Sequence, residues 1–323
     1  MEPQNDASAI SRHFADLKTE MDRYVVGHDV VKRGLILGLV AREHIYIEGP
    51  PGMAKTMLAE IVSAASNLEF YFYQFHRDTR LAELVGDIVI ERQPSGDAGE
   101  LIIQTIRKGG VLTAELCVLD DISRSPGEAL NVLLRILNER QFQTERIPLL
   151  SAIATSNPTA DDYYNEPLDP ANLDRFTIQM RSQGLITENQ WDDVEKVIDL
   201  YSSQQFSDEV TPEPILSKQV FDDAYALLHQ VTVPELVKRG LMDLLSRFVN
   251  QFKLDSTNAL ITDRSFLVKT IKILKAHALI HGRMQVVPAD LIAMTFLTAF
   301  RLPEEIDRAM PNLVAETIQR VGE

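Results

Sequence analysis

The chain contains 323 residues, of which 45% are hydrophobic and 24% charged, and its formal net charge is −15. This length allows two domains of ordinary size, and the negative charge argues against sequence-independent binding to nucleic acid, which needs many Lys and Arg contacts to phosphate. The negative charge favours a protein partner instead. No apolar run is long enough to cross a bilayer and the first residues do not form a signal peptide, so we expect a cytoplasmic protein.

The first elements in chain order are an N-terminal helix and an α/β domain. Apolar residues recur at helical spacing in residues 1–24, which predicts an amphipathic helix. Between 25 and 182, short apolar strands alternate with helical patterns, which is typical of an α/β domain with a mostly parallel sheet. The predicted strands are 44–48, 70–75, 116–120 and 149–155. Tyr71 and Tyr73 of the second strand are expected in the core rather than in a stacking platform.

Two further segments of this domain predict β-hairpins. Residues 87–92 and 100–106 alternate like strands and flank a turn rich in Pro and Gly, so a hairpin should project from the domain at about 87–106. A second, shorter hairpin is predicted around 142–147.

The remainder of the chain, 183–323, is predicted to be a separate α-helical domain, because its apolar residues follow helical periodicity. The predicted helices are 191–201, 218–229, 234–252, 265–281 and 288–300, with a polar loop at 202–214. His277 and His281 lie four residues apart on one of these helices. Because no third ligand is apparent in the sequence, a structural role is favoured over a zinc site.

The strongest chemical signal is a glycine-rich loop between the first predicted strand and a helical run, the Walker A pattern. It reads Gly49-Pro50-Pro51-Gly52-Met53-Ala54-Lys55-Thr56. Backbone N–H groups of such a loop and of the following helix bind the phosphates of ATP. Lys55 should neutralise the β- and γ-phosphates, and Thr56 should supply a hydroxyl ligand to Mg²⁺. The predicted ATP contacts in this region are Pro50, Gly52, Met53, Ala54, Lys55, Thr56 and Met57.

Two carboxylates, Asp120 and Asp121, end the apolar strand 116–120, which is the Walker B pattern. Asp120 is expected to hold Mg²⁺, directly or through water, and Asp121 to orient and activate the attacking water. Asn157 follows the strand at 149–155. A polar side chain at that strand end can reach the γ-phosphate and the same water.

Several motifs occur in an order that carries more information than any one of them. Besides the loop, they are Val25-Val26-Gly27-His28, Leu119-Asp120-Asp121-Ile122-Ser123-Arg124, Asn138-Glu139-Arg140-Gln141, Ala154-Thr155-Ser156-Asn157-Pro158, Leu173-Asp174-Arg175-Phe176, Thr262-Asp263-Arg264-Ser265, Gly282-Arg283 and Val287-Pro288-Ala289-Asp290. This set resembles the AAA+ ATPases and, within them, the MoxR family, over nearly the whole chain. The resemblance implies a hexameric ATPase that acts as a chaperone-like remodeller or activator, often with a von Willebrand A-domain partner.

The resemblance also implies roles that spacing alone does not give. Arg175 matches the arginine finger that reaches the ATP of a neighbouring subunit, and Arg264 matches sensor 2, which contacts phosphate from the C-terminal helical lid. Asn157 matches sensor 1. Val26 and Gly27 match the segment that lies against adenine, and the two hairpins match inserts that face the centre of the ring.

Two positions depart from the family pattern, because Asp121 and Ser123 stand where Glu and Asn are common. The leading hypothesis is an ATP-driven remodeller of a protein partner, and the alternative is an ATP-dependent scaffold with weak hydrolysis. A nucleic-acid motor also stays open, since related AAA+ proteins include helicases. A small-molecule phosphotransferase fits badly, because the helical domain and Arg175 would have no role in it.

Overall fold

The computed structural model describes residues 3–95, 99–158, 168–202, 212–255, 257, 259, 261 and 263–322. The tip of the predicted hairpin at 87–106, most of the predicted loop at 202–214, Thr262 and the last residue lie outside the described residues. None of the helices in these ranges combines the length and the hydrophobicity needed to span a membrane.

Strands occur only before residue 182 in the described chain, whereas α-helices occur along its whole length. The strands are β1 (Ile45–Glu48), β2 (Phe70–Gln74), β3 (Gly86–Ser95), β4 (Gly99–Lys108), β5 (Leu116–Asp120), β6 (Gln141–Phe142), β7 (Glu145–Arg146), β8 (Ser151–Ser156) and β9 (Ile178–Arg181). The α-helices are α1 (Pro3–Tyr24), α2 (Asp29–Ala41), α3 (Lys55–Ser66), α4 (Leu81–Val85), α5 (Gly127–Glu139), α6 (Pro170–Leu173), α7 (Trp191–Ser202), α8 (Lys218–Gln230), α9 (Glu235–Asn250), α10 (Asp263–Ile280), α11 (Thr295–Thr298) and α12 (Glu304–Gly322). Short 3₁₀ helices occupy Gly110–Leu112, Ile122–Arg124 and Pro288–Met294.

Five strands form one parallel sheet in the order β2-β5-β8-β1-β9. Alternate residues of β5 belong to two apolar clusters: Leu116 and Val118 pack with α2 and α3, while Cys117 and Leu119 pack with α4 and α5. Helices therefore cover both faces, as buried parallel sheets require. The predicted α/β class with a C-terminal helical region is confirmed. The strands β3 and β4 pair antiparallel, as do β6 and β7.

Among the elements that periodicity does not predict are β9 and α12. The strand β9 has only four residues, and α12 contains Pro311, a residue that usually ends a helix. The predicted helix at 288–300 is instead a 3₁₀ helix followed by α11. Tyr71 and Tyr73 are partly buried and pack against one of the apolar clusters, whereas Phe70 and Phe72 are 41% and 37% exposed, because β2 is an edge strand.

The amphipathic helix α1 packs against both parts of the molecule. The ring of Phe14 meets the ring of Phe221 in α8 edge-on, with centroids 5.7 Å apart. The hydroxyl of Ser11 donates to the Ile280 carbonyl of α10 at 2.7 Å. One apolar cluster consequently runs from α1, α2 and α3 into α8, α9, α10 and α12, so the helical part is packed directly against the sheet's α2/α3 side.

Candidate functional site

The residues singled out by the sequence fall at the edge where the parallel strands end, called the carboxyl edge here. The strands β5, β8 and β1 are neighbours in the sheet. Their ends therefore place Asp120 and Asp121, Asn157, and the loop at 49–56 side by side. We call Lys55, Thr56, Asp120, Asp121 and Asn157 the carboxyl-edge cluster. The opposite edge, where the strands begin, is called the amino edge.

The loop at 49–56 follows a path that needs small residues. Gly52 has φ +82° and Ala54 has φ +50°, both in the left-handed region that glycine adopts most readily. A Cβ on Gly49 would lie 2.4 Å from the Ser182 carbonyl oxygen, whereas a Cβ on Gly52 would meet nothing within 4 Å. The loop is thus packed tightly against the end of β9 at its first residue and open at its centre.

The ammonium of Lys55 lies inside this loop. It donates to the carbonyl oxygens of Gly49 and Pro50, the latter at 2.8 Å, and to Asn157 Oδ1 at 3.3 Å. Burial lowers the pKa of Lys55, and the nearby carboxylates of Asp121 and Asp120 oppose that change. The ammonium lies where phosphate oxygens could replace the loop carbonyls as its partners.

A pair of oxygens suited to Mg²⁺ lies next to Lys55. The hydroxyl of Thr56 donates to Asp120 Oδ1 at 2.8 Å, and Thr155 donates to the same oxygen at 2.5 Å. Mg²⁺ prefers hard oxygen ligands in octahedral geometry at about 2.1 Å, which puts neighbouring ligand oxygens about 3 Å apart. The spacing of the Thr56 and Asp120 oxygens fits such a site.

Asp121 is the second carboxylate of the cluster and has φ +54°. Its Oδ1 accepts from Asn157 Nδ2 at 3.0 Å, and Arg124 lies 3.2 Å from its Oδ2. Burial raises the pKa of Asp121, Arg124 lowers it, and Asp120 adds to the increase. A partly buried carboxylate with a perturbed pKa beside Lys55 can accept a proton or orient a water molecule.

Three contacts in this region are not evident from the sequence. The Thr155 hydroxyl bridges the two acids, since it also accepts from the Asp121 N–H at 3.2 Å. Arg124 pairs with Asp121, and buried Ser123 accepts from Ser156 Oγ at 2.9 Å. The Thr155 and Ser156 contacts depend on the fold, which brings β8 next to β5, whereas Arg124 and Asp121 are only three residues apart in the chain.

The predicted adenine segment and Met53 meet the chain that follows β9. Gly27 has φ +71°, and a Cβ there would lie 2.7 Å from Leu185 Cδ2. The sulfur of Met53 lies 3.4 Å from the ideal Cβ position of Gly184. Val26, Gly27 and Met57 are half-buried, and Pro50 is exposed. The chain after β9 therefore lies close to both Gly27 and Met53.

Arg175 lies at the opposite end of the sheet, between α6 and β9. It is half-buried, and its Nη1 donates to the Ala171 carbonyl at 2.7 Å, while its buried Nε has no hydrogen-bond partner among the described residues. Because β9 begins at Ile178, Arg175 is at the amino edge.

Arg264 is exposed in the first turn of α10. The last turns of α10 line a cavity together with Val30 and Arg33, which lie near the start of α2. Further back on α10, Lys272 bonds Glu43, which lies between the end of α2 and the start of β1, at the amino edge. The two helices are thus antiparallel, and Arg264 lies beyond the amino edge. We call Arg175 and Arg264 the amino-edge arginines; the structure does not bring either of them to Lys55 within one chain.

The expectation that the lid histidines lack a third potential ligand is wrong. One ligand atom each from His277, His281 and Asp290 lie within 4.8 Å of one another. However, Asp290 already accepts from His277 Nδ1 at 2.6 Å, from both terminal nitrogens of Arg283 at 2.7 Å, and from the Val287 N–H. These bonds tie the end of α10 to the 3₁₀ helix, so the group has a structural role.

Comparisons with known proteins identify the family of the chain. A family model described as the MoxR domain in the MoxR-vWA-beta-propeller ternary systems matches residues 12–211, and an AAA lid domain matches residues 241–301. Chaperone MoxR1 of Mycobacterium tuberculosis is 24% identical over 288 residues, which cover 84% of this chain and 71% of that protein.

Two further relatives extend the comparison. The uncharacterised protein MJ0812 of Methanocaldococcus jannaschii is 26% identical over 264 residues, which cover 79% of this chain but only 63% of that longer protein. A crystal structure of a candidate ATPase from Cytophaga hutchinsonii superposes with a TM-score of 0.73, covering 98% of this chain and 96% of the other. At 21% identity, that likeness establishes the fold alone.

Proposed function

Because this chain belongs to the MoxR family of AAA+ ATPases, we propose that it binds and hydrolyses ATP with Mg²⁺ as an oligomeric ring that remodels or activates a protein partner. The observation that carries the proposal is the separation of two groups of residues. The carboxyl-edge cluster is assembled within one chain, whereas the amino-edge arginines lie at the other end of the sheet. A complete site then needs two subunits.

The proposed work of the carboxyl-edge cluster follows from its contacts. Lys55 would neutralise phosphate charge, and Thr56 and Asp120 would hold Mg²⁺ between them. Bound MgATP supplies the phosphoanhydride bond that is cleaved. Asp121, kept in place by Asn157, would orient the attacking water and accept its proton.

The amino-edge arginines would act on the ATP of the neighbouring subunit. An arginine supplied in trans is worth on the order of 10³–10⁵ in the rate of nucleotide hydrolysis. The single chain should therefore hydrolyse ATP slowly, and assembly should activate it. We assign residues 25–182 to the nucleotide-binding core, 183–323 to the lid, and 1–24 to a helix that joins them, with a hexamer as the proposed ring.

The proposed partner is a protein with a von Willebrand A domain. The matching family model is described from ternary systems of a MoxR domain, a vWA protein and a β-propeller, and MoxR1 is named a chaperone. An Asp121→Asn variant loaded with ATP should retain such a protein in a pull-down, whereas the Lys55→Ala variant should not. Equal recovery with both variants would contradict ATP-dependent engagement.

Two substitutions test the divided site. Lys55→Ala should lose affinity for a fluorescent ATP analogue, because it removes the ammonium that lies inside the loop. Arg175→Ala should keep that affinity and lose roughly 10³-fold or more in turnover, since the finger acts after binding. The control is Arg320→Ala, which removes an exposed arginine near Asp243 and should change neither.

Mixing variants tests whether the site is shared. Asp121→Ala subunits keep their arginines, and Arg175→Ala subunits keep their acids, so a mixture of two inactive proteins should regain part of the activity. Failure to regain any activity, in rings shown by sedimentation to contain both variants, would refute the shared site.

An ATP-dependent scaffold with weak hydrolysis is the second candidate. Asp121 is shorter than glutamate, and Arg124 already holds one of its oxygens at 3.2 Å. If this candidate holds, turnover stays near background at high protein concentration while ATP binding is tight, and Asp121→Glu raises the turnover. A nucleic-acid motor would instead show ATPase activity that increases with DNA or RNA.

A further inference from the structure

The residue before Arg175 is held by two cations from the C-terminal helical part. Lys269 of α10 donates to Asp174 Oδ2 at 3.3 Å and to the Asp174 carbonyl oxygen. Arg301, which follows α11, donates to Asp174 Oδ1 through Nε at 3.3 Å and through Nη2 at 3.2 Å. The two cations therefore clamp both oxygens of one carboxylate.

Arg301 does more than pair with that carboxylate. It is 2% exposed, and its guanidinium also donates to the Phe176 carbonyl at 3.0 Å and to the Thr177 carbonyl at 3.2 Å. A further bond, at 2.7 Å, joins it to the Leu297 carbonyl of α11. The turn from 174 to 177 is thus wrapped around a buried cation whose hydrogen bonds fix the backbone on both sides of Arg175.

The same carboxylate connects the two amino-edge arginines. Lys269 lies five residues after Arg264 on α10, about 7.5 Å along the helix axis. The lysine side chain is only 18% exposed, so the contact is largely shielded from water. Asp174 consequently joins the turn that carries Arg175 to the helix that carries Arg264.

We propose that Asp174 is a positioning residue that, through Lys269 and Arg301, holds Arg175 and Arg264 as one unit for the nucleotide of the neighbouring subunit. The inference rests on the proposed function and names how its trans arginines are placed. A displacement of about 1 Å in a catalytic group can lower the rate roughly 100-fold. Loosening the clamp should therefore lower turnover without changing ATP affinity, because the chain's own loop is at the other edge of the sheet.

A matched pair of lysines separates positioning from stability. Lys269→Met removes one half of the clamp and leaves Arg301 on Asp174. Lys272→Met is the control, since Lys272 follows three residues later on α10, is 22% exposed, and bonds Glu43 instead. Both variants should lower the unfolding temperature, but only Lys269→Met should lower kcat, by 10- to 100-fold, at unchanged affinity for ATP.

Rings that mix two variants show whether a variant has lost the function of its acids or the function of its arginines. Asp174→Asn should regain activity when mixed with Asp121→Ala subunits, which supply intact arginines. It should regain none when mixed with Arg175→Ala subunits, because neither variant then donates a placed arginine. Lys269→Met, measured in the same two mixtures, gives the answer if Asp174→Asn does not fold.

The outcomes separate this inference from the proposed function. If Arg175→Ala stays active, the trans-arginine model fails, and the inference fails with it. If Arg175→Ala is inactive while Lys269→Met keeps the turnover of Lys272→Met, the proposed function stands and the clamp is only structural. Recovery of Asp174→Asn by Arg175→Ala subunits would also overturn the inference.

Discussion

Thr155 offers a direct test of how the two acids of the site are held. Its side chain is 1% exposed, and its hydroxyl donates to the Asp120 carboxylate at 2.5 Å while accepting from the Asp121 N–H at 3.2 Å. Thr155→Val keeps the shape and removes both bonds. Thr155→Ser keeps the hydroxyl and removes one buried methyl group.

The expected loss of stability follows from these contacts. A hydrogen bond to a charged group contributes about 1.5–3 kcal/mol, and a buried N–H left without an acceptor costs about 1–3 kcal/mol. Burying a methyl in place of the hydroxyl offsets part of this, so Thr155→Val should lose about 2–4 kcal/mol. Thr155→Ser should lose about 1 kcal/mol, the value of one buried methyl group.

The assay is urea unfolding without nucleotide or Mg²⁺, because ligands that bind only the folded state would add to the apparent stability. Fluorescence and circular dichroism should give coincident transitions, which justifies comparing free energies of unfolding. The refuting result is a Thr155→Val protein as stable as Thr155→Ser. The hydrogen bonds of the Thr155 hydroxyl with the Asp120 carboxylate and the Asp121 N–H would then contribute nothing to the free energy of unfolding.

The remaining predictions concern charge and backbone at the two edges of the sheet. Arg124→Gln should move the acid limb of the kcat/KM profile to higher pH, because burial raises the pKa of Asp121 and Arg124 opposes that rise; an unchanged limb would exclude Asp121 as the base. Buried His44 has its pKa lowered from 6.5 to about 4, chiefly by burial, so its contribution to stability is present above pH 6.5 and lost as the pH falls toward 4. Between pH 7.5 and 5 this amounts to about 2 kcal/mol, and urea unfolding of His44→Gln should lack that loss relative to the wild type. Gly49→Ala should weaken ATP binding and stability, since its Cβ would lie 2.4 Å from the Ser182 carbonyl oxygen. Gly52→Ala should lose about 1–2 kcal/mol in the unfolding assay, because Gly52 has φ +82° even though its Cβ would meet nothing within 4 Å.

The α/β class, the helical C-terminal part and most strand positions were accessible from the sequence, because each depends on periodicity within a short window. The strand β9 and the helix α12 were not, since four residues carry little pattern and Pro311 argues against a helix. The edge position of β2, which exposes Phe70 and Phe72, depends on sheet order, and periodicity does not encode sheet order.

For the site, the sequence by itself determined the loop at 49–56 and the two acids at the end of β5, because a strand, a glycine-rich turn and a helix are local and parallel strand ends meet at one edge. Tertiary structure decided the rest. Thr155 bridging the acids, Asp290 beside His277, and Asp174 between Lys269 and Arg301 join residues that are 13 to more than 120 positions apart. Periodicity shows which face of a helix is buried, but only the packed fold selects the partner that a buried charge meets there.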